Sequence, residues 1–147
     1  MKKLSIVLLA VALVCALAVA FYAITSVLKT EADVKITPAA ARAEDFARAM
    51  NDAELGDIDD YYFADITVKI ISYSPFSAQW VTLKADSLPG DEALLYQNVG
   101  PADIESVGSG TLSVTVLTRD PNPARSAKVE YYILGRYHQV KAKAADQ

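Results

Sequence analysis

The chain has 147 residues, with 18 acidic and 14 basic side chains and one cysteine, enough for one domain plus an appendage. All the acids and twelve of the bases lie beyond residue 28, leaving that part at −6; this disfavours nucleic acid, which rewards clustered Lys and Arg, and electrostatic docking onto anionic lipid. Cys15 lies within an apolar run, so the rest of the chain can form neither an internal disulfide nor a thiolate metal site.

Residues 1–28 stand apart. Met1-Lys2-Lys3 is basic, and Leu4 to Leu28 carries no charge. From Ile6 to Ile24, 19 residues, the most polar side chains are Cys15 and Tyr22. As a helix this run is roughly 28 Å long, close to the hydrocarbon thickness of a bilayer. Ala18-Val19-Ala20 fits a signal-peptidase site, which would release a secreted chain beginning at Phe21. Apolar character continues past that site to Leu28, however, and Phe21 and Tyr22 suit the outer interface of a membrane helix. A lipoprotein would need a small residue before its cysteine, and Val14 stands there. The expectation is an uncleaved signal anchor contacting the membrane through residues 4–28. Lys2 and Lys3 precede the span, whereas Lys29 and Lys35 are balanced by Glu31 and Asp33. The N-terminus is therefore expected in the cytoplasm of a single-pass cell-membrane protein, with residues 29–147 outside.

Residues 29–60 are expected as a short polar juxtamembrane segment, Lys29 to Ile36, followed by an amphipathic helix over 38–55. Thr37 would cap that helix, Pro38 would take its first position and Gly56 would close it. Its apolar stripe would be Ala39, Ala43, Phe46, Ala47, Met50 and Ala53.

From residue 61 to 147 the pattern has period two, which predicts a β-sandwich domain with a polar C-terminal tail from Ala142. Strands are expected near 62–73, 77–85, 94–96, 110–118 and 129–133. Gly135-Arg136 is expected either as a two-residue hairpin turn into 137–141 or as a bulge. Ile66, Val68, Val81, Leu83, Leu112, Val114, Val129 and Ile133 should form the core. The predicted fold class is mainly β with one helix: an N-terminal transmembrane helix plus a small antiparallel, Ig-like sandwich.

Chemistry is sparse. His138 is the only histidine, and there is no H-E-x-x-H, P-loop or dinucleotide fingerprint. Gly108-Ser109-Gly110 is too short for a nucleophile elbow. Asp52, Glu54, Asp57, Asp59 and Asp60 surround Gly56, but their spacing does not match an EF-hand loop, and a solvated acidic turn explains them. No cofactor is expected, and no motif identifies a family. Aromatic residues are the remaining signal. Trp80 shares a strand face with Thr82 and Lys84, opposite Val81 and Leu83, and Tyr132 lies opposite Tyr131 and Ile133. If the aliphatic faces are buried, Trp80 and Tyr132 are left at the surface, where such rings anchor interfaces. The expected function is a membrane-anchored, extracytoplasmic, non-catalytic module acting by contact with a protein in or near the membrane. A glycan- or small-ligand-binding sandwich is the alternative.

Overall fold

A computed structural model of the chain describes residues 2–52, 54–98, 102–122 and 124–143. A long apolar helix, α1 (Lys2–Thr25), leads into a mainly antiparallel β domain built from two sheets. The strands are β1 (Lys29–Pro38), β2 (Tyr62–Ile71), β3 (Ala78–Ala85), β4 (Asp91–Asn98), β5 (Ala102–Ile104), β6 (Ser109–Thr118), β7 (Ser126–Ile133) and β8 (Arg136–Lys143). One sheet has the order β1-β2-β6-β4 and the other β5-β3-β7-β8. All pairings are antiparallel. Helix α1 is long and apolar enough to cross a membrane, by length and composition.

Alternation puts one face of each sheet into a shared core. All eight residues expected there are buried, joined by Val34, Ile70, Val116, Tyr131 and Ala142 among others. Each large aliphatic side chain taken from water contributes roughly 1.5–3 kcal/mol before entropy is counted. A second, smaller cluster of Ala39, Phe46, Ala49, Tyr61, Phe63 and Leu117 closes the end of the sheets remote from α1.

Several boundaries differ from the sequence expectation, and the short strand β5 was not expected. The stretch expected as a polar juxtamembrane segment is β1, paired along its whole length with β2 from Lys29↔Ile71 to Pro38↔Tyr62. Its charged residues, Lys29, Glu31, Asp33 and Lys35, occupy the exposed positions of an edge strand. The helix expected over 38–55 is shorter: a 3-10 turn, Ala39–Arg42, then α2, Ala43–Asp52. Its buried face is Ala39, Phe46 and Ala49. Ala43, Ala47 and Met50 are exposed, and Arg42 holds Asp45 and Asp65 at 2.8 and 3.0 Å; Ala53 lies outside the described residues. Finally, Ala142 belongs to β8 and is buried rather than in a polar tail. Gly100 and residues 144–147 lie outside the described residues.

The β7–β8 connection is a two-residue hairpin turn, but one residue earlier than expected. Ile133 pairs with Arg136, so the turn is Leu134-Gly135. Both residues have positive φ, 51° and 73°, as a type I′ turn demands.

No flexible spacer separates α1 from the domain. Ser26 and Leu28 are buried immediately after the helix. The Tyr131 hydroxyl donates to the Ser26 carbonyl at 2.8 Å and accepts from the Leu28 N–H at 3.2 Å. One turn back, the Tyr22 hydroxyl donates to the Ile133 carbonyl at 3.1 Å.

Candidate functional site

Strand β3 carries a bulge where it meets its neighbours. Gln79 pairs with Tyr132 and Thr82 with Glu130, so one extra residue is fitted into β3. That residue is Trp80, whose φ is +55°. A left-handed backbone costs an L-residue other than glycine about 1–2 kcal/mol. The Asp103 carboxylate accepts the freed Trp80 N–H at 3.1 Å. The bulge turns both Gln79 and Trp80 outward, and Trp80 is 64% exposed.

Tyr132 is 40% exposed on the same outer face of the sheet. Its ring meets Tyr137, its cross-strand partner, edge to face at 5.7 Å. Gln79, Trp80, Tyr132 and Gly135 line a surface cleft of about 360 Å³. The two residues singled out from the sequence are therefore brought together, and Tyr137 extends the aromatic surface. A polar rim follows along the strands. Lys84 and Glu130 form an ion pair at 2.7 Å, and the hydrogen bond from Lys84 holds the Glu130 carboxyl below its ordinary value. Desolvation and the nearby Glu130 charge push the Tyr137 hydroxyl up. Such a surface offers stacking and apolar contact with hydrogen bonds at its edge.

The bulge was not visible in the sequence. Trp80 fits an unbroken alternation with Thr82 and Lys84, and no glycine marks the left-handed position.

The other candidate groups have structural partners. His138 Nε2 lies 3.0 Å from the Tyr22 hydroxyl, and its ring stacks on Tyr131 at 5.3 Å. The Tyr22 hydroxyl thus lies within hydrogen-bond distance of both the Ile133 carbonyl and His138 Nε2. Desolvation, then the Arg136 charge, lowers the His138 pKa. In the acidic turn Asp57 accepts from the Asp59 N–H at 3.1 Å, while Glu54, Asp59 and Asp60 are exposed. Among the described residues no three His, Cys, Asp or Glu side chains are grouped to hold a metal ion.

No family model matches the chain, and no curated protein matches it. Among solved structures it is similar to the X-ray structure of the Northeast Structural Genomics Consortium target SoR45. That likeness has a TM-score of 0.47 at 10% identity and covers 83% of this chain and 85% of the other. It is also similar to the crystal structure of a FixG-related protein from Vibrio parahaemolyticus, with a TM-score of 0.37 at 9% identity, over 78% and 94% of the two chains.

Proposed function

We propose that the chain is a single-pass membrane protein whose domain is a non-catalytic, extracytoplasmic module that binds another protein in or near the membrane. In this reading α1 is an uncleaved anchor, Lys2 and Lys3 stay in the cytoplasm, and the domain stands outside. Its sheets form an Ig-like sandwich. The order β1-β2-β6-β4 against β3-β7-β8 supports this, because it matches the ABED and CFG strand orders of that class, with β5 added at an edge.

One observation carries the binding role: an exposed tryptophan held by a strained bulge beside Tyr132 and Tyr137. Strain at a solvent-facing aromatic does nothing for the core and is the kind of local cost that accompanies a binding surface. The cleft beside Trp80 supports the alternative, a glycan or small planar ligand stacked on the ring.

The test is photo-crosslinking in the native membrane from a benzophenone side chain at Gln79, between the two rings. A protein adduct lost in Trp80→Ala and Tyr132→Ala is the expected result. No protein adduct, together with retention of the chain on a glycan array, would overturn protein binding in favour of the alternative.

A further inference from the structure

We infer that the end of the domain from which α1 emerges rests on the bilayer, with Leu134 and Val107 inserted at the headgroup boundary; this depends on α1 being the membrane anchor proposed above. Four segments meet at that end. Lys29 at the start of β1 pairs with Ile71 at the end of β2. The loop after β2 is hydrogen-bonded to the turn before β6, Ser72 N–H to the Gly108 carbonyl at 2.8 Å and Val107 N–H to the Ser74 carbonyl at 3.0 Å. Leu134 of the β7–β8 turn lines, with Phe76 and Glu105, a cleft of about 460 Å³ between these loops.

The direction of α1 fixes what this end faces. Tyr131 of β7 meets Ser26 and Leu28, just after the helix, and Ile133 meets Tyr22, one turn inside it. Strand β7 thus runs alongside the helix toward the apolar span, and Leu134 continues in that direction. With Ser26 and Leu28 both buried, no spacer lifts the domain off the surface.

The residues offered there are unusual. Among the described residues the non-glycine positions with positive φ are Trp80, Val107 and Leu134. All three are exposed hydrophobic residues near this end. Val107 is 73% exposed and Leu134 65%. A left-handed turn position normally takes Gly, Asn or Asp, and a β-branched residue there is an outlier. Gly or Asn would be cheaper and more soluble at both tips, whereas an apolar tip is useful where it meets hydrocarbon. Tyr73 and Phe76, also exposed, continue the patch, and the Lys29 ammonium lies over the Tyr73 ring at 5.1 Å. Aromatic rings with flanking cations suit the headgroup layer. Lys29 and Arg136 at this end are set against Asp103 and Glu105, and the domain as a whole is acidic. Contact is therefore apolar rather than electrostatic, and zwitterionic lipid suffices.

The experiment uses the full chain with Cys15→Ser, reconstituted into phosphatidylcholine vesicles. Single cysteines at Leu134→Cys and Val107→Cys, and at Asn122→Cys in the loop at the far end, carry an environment-sensitive fluorophore. Phe76→Cys replaces either tip variant that fails to fold. The expected result is several-fold weaker quenching by aqueous iodide at the tips than at residue 122, and stronger quenching there by lipid-borne nitroxide. Adding phosphatidylglycerol should leave this unchanged. Equal iodide quenching at all sites, with the chain retained in the vesicles, would overturn the inference and leave the anchor intact. Extraction of the chain by alkaline carbonate would overturn the anchor reading and the inference with it.

Discussion

The Tyr22 hydroxyl and His138 Nε2 are 3.0 Å apart, joining the last turn of the apolar helix to a strand near the end of the chain. Because the same hydroxyl donates to the Ile133 carbonyl, two hydrogen bonds fix the angle at which helix and domain meet. Tyr22→Phe removes both while keeping the ring. We expect a loss of about 1–2 kcal/mol in urea unfolding of the full chain, followed by fluorescence of Trp80. An unchanged midpoint would mean that water satisfies these groups equally well and that the junction is loose.

The same junction predicts a pH dependence. Desolvation and Arg136 lower the His138 pKa in the folded state, so the folded chain binds fewer protons than the unfolded one. Stability from this group is then complete above the unfolded value of about 6.5 and declines as pH falls below it. His138→Gln should flatten the pH dependence of the unfolding midpoint in that window. A slope that persists unchanged would assign it to other groups.

The strained turns give a third expectation. Leu134→Asn and Val107→Asn place a residue that tolerates positive φ where Leu and Val now sit. Each should raise stability by up to about 1 kcal/mol, visible as a higher Tm. If the tips rest on lipid, the same changes should make this end of the domain more accessible to aqueous quenchers. A lower Tm in both variants would show that the turns are not strained.

Much of the domain was legible because alternation is a direct record of which face is buried. Ile66, Val68, Leu112, Val114 and their counterparts needed only period two to be placed in the core. The alternation in β1 was equally present, with charges at 29, 31, 33 and 35 and Thr30, Ala32, Val34 and Ile36 between them. It was obscured by its high charge and by Thr37-Pro38, a good helix start. In the fold Pro38 ends an edge strand, where a missing N–H costs little. The bulge at Trp80 had no local signal, since the positive φ is imposed by register against β7 and β5 rather than by a turn residue. The helix–domain junction was invisible for a different reason: Tyr22 and His138 are 116 residues apart, and no periodicity links them.

The aromatic surface can be separated from the core by cost. Trp80→Ala and Tyr132→Ala remove exposed rings and should each lower stability by less than about 1.5 kcal/mol, against the 3–5 typical of a buried aromatic. Val114→Asp, at a buried position facing the opposite sheet, should abolish folding, because it buries an unpaired charge. Thermal unfolding of the three variants checks this. A large loss in both aromatic variants would make the rings structural and remove the basis for the binding surface.

The far end of the domain depends on a buried ion pair. The Arg125 side chain is 0% exposed and donates to both Asp91 oxygens, at 2.9 and 3.1 Å. It also donates to Thr118 Oγ1 at 2.9 Å, which ties the loop after β6 to the first residue of β4. Desolvation would raise the Asp91 pKa, but the hydrogen bonds from Arg125, the Leu88 N–H and Thr118 outweigh it, and the net shift is downward. A carboxylate with a lowered folded pKa contributes stability above its unfolded value, about 3.9, and loses it as pH falls below that value. Arg125→Met leaves the Asp91 charge without its partner and should cost about 3–5 kcal/mol at neutral pH. The variant should also lose less stability than the parent on acidification, since protonation then relieves an unpaired charge. The double change Arg125→Met with Asp91→Leu should recover most of the loss, because apolar packing can replace a buried pair at little cost. Recovery measured by urea unfolding would identify the pair as a device that fixes the loop's position. A double variant as unstable as the single one would mean that the hydrogen bonds to Leu88 and Thr118 carry the stability of this corner.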